Sequence, residues 1–149
     1  MGNKIKPWII AFRLHTLPLA TAGILMGNFA ALVNQSFHIS ILLLSLLTGI
    51  LLQILSNLAN DYGDALHGAD NPNRTGPLRV VQSGIITRHQ MGRMILLFIL
   101  LSFISGIVLL CLSFTIIGLF PILIMFAIGM ASIWAAWNYT ASKNPYGYK

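Results

Sequence analysis

Four runs of about 20 predominantly apolar residues, at 17–33, 39–58, 94–114 and 116–138, limit what this chain can become. Each is long enough to cross the hydrocarbon core of a bilayer as a helix, and none shows the period-two alternation of a barrel strand. Only 8% of the 149 residues are charged, against about 25% in a soluble domain. Mean hydropathy is +0.80, so an ordinary aqueous surface is excluded. The pattern predicts an all-α, polytopic membrane helix bundle with about four transmembrane helices. One polar segment, 60–93, separates the second span from the third. The basic start (Lys4, Lys6, Arg13) reads as a signal anchor or simply the first helix rather than as a cleaved leader, because its apolar run continues to Val33 and three more follow.

Lys and Arg sit asymmetrically about these spans. The N-terminus holds Lys4, Lys6 and Arg13; the 60–93 segment holds Arg74, Arg79, Arg88 and Arg93; the tail holds Lys143 and Lys149. The connection at 34–38 and the tight turn expected near Phe114–Thr115 hold none. The asymmetry places both termini and the large loop on the cytoplasmic side. Trp8, Trp134, Trp137, Tyr139, Tyr146 and Tyr148 fall near that same boundary, as an aromatic belt does. Arg88 and Arg93, flanking the third span, read as topology and snorkelling residues.

The net charge of +6 does not point to nucleic acid, since the basic residues flank apolar spans rather than forming a soluble basic face. Cys111, the sole cysteine, lies in an apolar run and reads as a small buried residue. Gly23 and Gly27 make a small-xxx-small pair that predicts close helix packing in the first span.

All three acidic residues, Asp61, Asp64 and Asp70, fall within "NLANDYGDALHGAD" (57–70), and there is no Glu. On a helical wheel Gln53, Asn57, Asn60, Asp61 and Asp64 share one stripe about 100° wide. Exposing that stripe to lipid is costly, so it should face a bundle interior or a water-filled cavity. Two carboxylates at i and i+3 repel unless a cation lies between them. Oxygen donors without His or Cys select a hard ion, and Mg²⁺ held by one or two carboxylates together with phosphate oxygens is the common case. The following "NPNRTGPLRVVQSG" (71–84) supplies Arg74 and Arg79, whose guanidinium forks suit phosphate. An ordinary hydrated helix end beside topology-setting arginines is the bland alternative. His15, His38, His67 and His89 show no ligand spacing, and His67 reads as a solvated loop residue.

"NLANDYGDALHGAD" followed by "NRTGPLRVVQSGIIT" resembles the first Asp-rich motif and loop of the UbiA-type intramembrane aromatic prenyltransferases. "RLHTLPLATAGILMG" (13–27) and "YTASKNPYGY" (139–148) are similar to the family's first-helix signature and to its stretch after the fourth helix. The narrower similarity is to the branch that prenylates 1,4-dihydroxy-2-naphthoate in the menaquinone pathway. The resemblance implies metal and diphosphate roles for Asn57, Asp61 and Asp64. It implies substrate contacts for Asn60, Asp70, Arg74, Arg79 and Tyr139, and Mg²⁺ as cofactor. It further implies transfer of a polyprenyl group from a polyprenyl diphosphate to the naphthoate, with decarboxylation, in the bacterial inner membrane. His15 stands where the family more often has a basic residue, and Asn144 where some relatives have Arg. The family fold has nine transmembrane helices and a second Asp-rich motif. Residues 1–149 are therefore expected to be the N-terminal half of a single domain, with the second motif on a further or separate C-terminal half.

Two other classes fit parts of the sequence. A small transporter subunit also has about four spans, although its working acids tend to lie within the membrane. A non-catalytic membrane protein that binds lipid diphosphate would keep the stripe and the arginine loop without turnover.

Overall fold

The computed structural model describes residues 5–68 and 79–148, all of whose regular structure is helical. A short helix α1 (Lys6–Phe12) and a 3-10 turn (Leu14–Thr16) lead into α2 (Leu17–Val33), α3 (Ile39–His67), α4 (Arg88–Ile117) and α5 (Leu119–Thr140). A second 3-10 turn, Tyr146–Tyr148, follows. Four helical stretches are long and apolar enough to cross a membrane. Much of their apolar surface is exposed, with Leu19, Met26, Val33 and Phe120 each more than 70% accessible. That inverts the rule for a water-soluble chain and suits a lipid solvent.

α3 is the central element and touches α1, α2, α4 and α5. Its 29 residues span about 43 Å at 1.5 Å per residue, against a hydrocarbon core of about 30 Å. The surplus is the polar C-terminal third, which carries Asn57 to His67. Here α3 is buried around most of its circumference, with Leu55, Leu58 and Ala59 as enclosed as the polar stripe. Val80, Val81, Ile86, Met91, Ile95 and Phe98 complete this core at one end of the bundle. In mid-span, Thr48 Oγ1 and Ser105 Oγ lie 2.7 Å apart and join α3 to α4, a hydroxyl pair of the sort that links helices in lipid.

The polar connection is shorter than 60–93. α3 continues to His67 and stops at Gly68, whose φ of 63° is left-handed and whose N–H returns to the Asp64 carbonyl. α4 starts at Arg88 because Thr87 and Gln90 form a capping box: Gln90 N donates to Thr87 Oγ1 at 3.2 Å and Thr87 N to Gln90 Oε1 at 2.9 Å. The last turn lies at Gly118 rather than at Phe114–Thr115. Gly118 alone separates α4 from α5, at φ 75° and ψ −175°, a region open essentially to glycine.

Two expectations about packing fail. Among the described residues nothing lies within 4 Å of a Cβ built on Gly23 or Gly27, so this pair is not a close interface here. The small residue where α2 meets α3 is Gly49, against which Ile24 packs. One such residue on one helix suffices for the approach, which leaves the Gly23/Gly27 face outward. Cys111 is exposed rather than buried, because the face of α4 that packs inward carries Ser102, Ser105 and Ser113 instead.

Candidate functional site

Four chain segments converge where α3 ends. The stripe on α3 places Asn57 (4% exposed), Asp61 (2%) and Asp64 (7%) inside the bundle, with Gln53 and Asn60 half-buried. Asp61 and Asp64 sit one helical turn apart in the last two turns of α3, and each neighbouring segment brings a specific partner to this surface.

From the N-terminal side comes Thr16. Its hydroxyl donates to the Arg13 carbonyl at 2.9 Å and accepts from Asn57 Nδ2 at 2.9 Å and Gln53 Nε2 at 3.3 Å. Asn57 Nδ2 also donates to the Phe12 carbonyl at 2.9 Å. Both amide hydrogens of Asn57 are thus committed to the turn after α1, and Oδ1 is its remaining polar atom. The same turn holds Arg13 at φ 49°, a left-handed conformation uncommon outside glycine. Thr16→Val is expected to cost about 1–3 kcal/mol, the penalty for stranding buried donors. A lowered unfolding temperature of the Thr16→Val chain in detergent micelles is the outcome that checks it.

From the C-terminal side comes the end of α5. Thr140 Oγ1 bonds the Ala59 carbonyl at 3.1 Å and Asn60 Oδ1 at 2.9 Å. Gly63 permits this approach, since a Cβ there would fall on the Thr140 backbone carbonyl. Asn60 therefore meets α5 through its carboxamide oxygen. His67 is likewise tied down, with Nε2 2.9 Å from the Ser142 carbonyl oxygen; it sits in the last turn of α3 rather than in a loop. Tyr62 stacks on Trp137 with ring centroids 6.1 Å apart. Tyr139 is turned outward at 45% exposure, with its ring edge-on to Tyr146.

The third segment follows the polar connection. Arg79 forms an ion pair with Asp64, and its Nη1 lies 3.5 Å from the Asn60 carbonyl oxygen. A compact turn anchors it: Ser83 N bonds the Arg79 carbonyl at 3.0 Å and Ile86 N the Val80 carbonyl at 3.1 Å. Val80, Val81 and Ile86 are buried beneath that turn. Arg88 Nη2 donates to the Ala65 carbonyl at 2.9 Å, so it supports the C-terminal end of α3 rather than only marking topology. Asp70 and Arg74 lie outside the described residues.

Asp61 and Asp64, with the carboxamide oxygen of Asn57, make an all-oxygen donor set on one buried face. This chemistry fits a hard divalent cation. Among the described residues no group of three His, Cys, Asp or Glu assembles a full coordination sphere. A cation here would draw its other ligands from water or a bound anion, as Mg²⁺ does beside phosphates. Sequence reasoning missed Thr16, Gly63 and Thr140. None of the three carries a signal of its own in the sequence, since Gly63 is one of several small residues at this helix end, with Ala59 and Ala65 on either side.

An all-helical membrane-type bundle with an Asn/Asp stripe at one end, crossed by an arginine from the next loop, defines a class. The profile of the UbiA prenyltransferase family matches residues 19–146, and the chain belongs to that family. Among curated proteins it is 43% identical over 147 residues to the 1,4-dihydroxy-2-naphthoate octaprenyltransferase of Escherichia coli (strain K12), covering 98% of this chain and 47% of that protein. The proteins of the same name from Haemophilus influenzae and Mycobacterium leprae are 39% and 36% identical over 99% and 95% of this chain, and over 48% and 45% of their own lengths. The chain thus spans about half the length of the curated relatives it matches. No solved structure matches it.

Proposed function

We propose that this chain carries the first metal–diphosphate site of a Mg²⁺-dependent aromatic prenyltransferase. The reaction is transfer of a polyprenyl group from a polyprenyl diphosphate to 1,4-dihydroxy-2-naphthoate with decarboxylation, giving demethylmenaquinol in menaquinone biosynthesis. The observation that carries the proposal is the placement of Asp61 and Asp64 on one buried face at the end of α3, with Arg79 against Asp64. Names of relatives that share 36–43% of its residues support the substrates. Asp61, Asp64 and Asn57 Oδ1 would hold Mg²⁺, whose charge would stabilise the departing diphosphate.

In this reading the chain's own groups divide the work. Arg79 and Arg74 bind diphosphate oxygens as the allylic C–O bond breaks and its electron pair leaves with the diphosphate. The electron-rich naphthoate ring forms the new C–C bond, and its carboxylate departs as CO₂. Tyr139, on the last turn of α5, and Asp70, which follows α3 in the sequence, are assigned to substrate contact on the strength of the family resemblance. The apolar helix faces take the isoprenoid tail in the bilayer. The Lys and Arg asymmetry puts this end of the bundle, and both termini, in the cytoplasm. Residues 1–149 then form the N-terminal half of one prenyltransferase domain, with the second Asp-rich motif on a C-terminal half. A transporter subunit is less well supported, because Asp61 and Asp64 occupy the last two turns of α3 rather than its middle.

Co-expression with the C-terminal half of the Escherichia coli relative tests the proposal. Membranes holding both pieces should form prenylated product from 1,4-dihydroxy-2-naphthoate and a labelled polyprenyl diphosphate, and EDTA should abolish it. Absence of product, when the relative's own two halves are active together, would sink the catalytic reading. Mg²⁺-dependent diphosphate binding without product would then favour a non-catalytic lipid-diphosphate binder.

A further inference from the structure

We infer that Arg79 is an exchangeable counter-cation: it neutralises Asp64 while no divalent ion is bound, and moves to the diphosphate when ion and diphosphate bind together. This rests on the metal–diphosphate reading above and adds how the site changes between its empty and loaded states.

Two carboxylates one turn apart on a buried face repel each other and lack the hydration that would screen them. Asp61 is 2% and Asp64 7% exposed. The positive charge beside Asp64 is the guanidinium of Arg79, itself only 11% exposed. Arg79 therefore stands in part where a cation's charge is needed. Its backbone cannot withdraw easily, since Val80, Val81 and Ile86 are buried and the turn is closed by its own hydrogen bonds. The long side chain can swing from that fixed point. Its fork binds carboxylate and phosphate with equal geometric fitness.

A divalent ion arriving alone must compete with Arg79 for Asp64, and success would leave a buried guanidinium without its anion. A diphosphate removes that obstacle by accepting the displaced fork. Ion and diphosphate consequently bind with positive coupling, and by linkage each raises the affinity of the other equally. The exchange keeps the half-loaded states scarce, so the ion is captured chiefly with its substrate.

The test is Mn²⁺ binding by the 149-residue chain in phosphatidylcholine nanodiscs without any diphosphate, read from the free-ion electron paramagnetic resonance signal. Arg79→Gln should bind Mn²⁺ about 5- to 150-fold more tightly than wild type, the range of a typical coupling free energy. Arg79→Lys keeps a charge beside Asp64 and should fall between the two. Should the Gln variant not fold, the Lys variant decides: tighter binding than wild type supports the exchange, and equal or weaker binding overturns it. If Arg79→Gln folds and binds no more tightly than wild type while Asp64→Asn abolishes binding, the exchange is wrong and the metal site stands. Mn²⁺ binding indifferent to Asp64→Asn overturns both.

Discussion

Asp64→Asn is expected to lower Mg²⁺-dependent prenyl transfer by about 10²–10³-fold, the usual cost of one lost electrostatic contact to a developing charge. The substitution keeps shape and volume and removes only the charge. Measured in the co-expressed two-piece enzyme, the loss should appear in kcat more than in KM, since the charge on the departing diphosphate is greatest in the transition state. Asp61→Asn should match it in turnover. Asp64 is ion-paired with Arg79, and breaking a buried pair from one side costs about 3–5 kcal/mol. Thermal unfolding in detergent should therefore find Asp64→Asn less stable than wild type. Unchanged turnover in both would remove the metal assignment from α3.

The second large effect is at Gly63. Helix propensity alone favours Ala over Gly by about 1 kcal/mol inside a helix, so Gly63→Ala would stabilise an isolated α3. The tertiary structure reverses the sign. A Cβ on Gly63 meets the carbonyl carbon and oxygen of Thr140, which are backbone atoms and have no rotamer to escape through. Overpacking of this kind costs about 1–3 kcal/mol, and Gly63→Val, with a branched Cβ, should exceed it. Parting α5 from α3 also breaks the Thr140 hydrogen bonds to Ala59 and Asn60. Activity should fall with stability. Gly92→Ala, on a part of α4 with nothing within 4 Å of the added carbon among the described residues, supplies the contrast. It should unfold at the same temperature as wild type or higher, and a parallel loss at both positions would show that crowding at Thr140 is not the cause.

These two positions show how unevenly the site can be read from the chain. Asp61 and Asp64 announce themselves, because charge is rare here and both fall on the stripe that Gln53, Asn57 and Asn60 define. Gly63 lies between them and is silent until α5 is placed. The aromatic residues after the fourth span are legible as boundary residues, yet nothing in their spacing says that Tyr62 stacks on Trp137 while Tyr139 faces outward. Small residues mislead in the same way. Gly23 and Gly27 carry a packing pattern yet meet nothing within 4 Å among the described residues, whereas Gly49, in no pattern, meets Ile24.

What the amino-acid order determined by itself was the number of spans, the end of the bundle that gathers charge, and the face of α3 that is polar. Those properties are local: they depend on run length and on a 3.6-residue period within one helix. Helix ends were encoded locally too, in the Thr87–Gln90 box and the left-handed Gly68, although apolar run length concealed them. Only the tertiary structure decided which group answers each polar atom: Thr16 for Asn57, Thr140 for Asn60, Arg79 for Asp64. Those partners lie 41, 80 and 15 positions away in the chain (57 − 16, 140 − 60 and 79 − 64). A period within one helix says which way a side chain points, and the packing of separate helices settles what it meets.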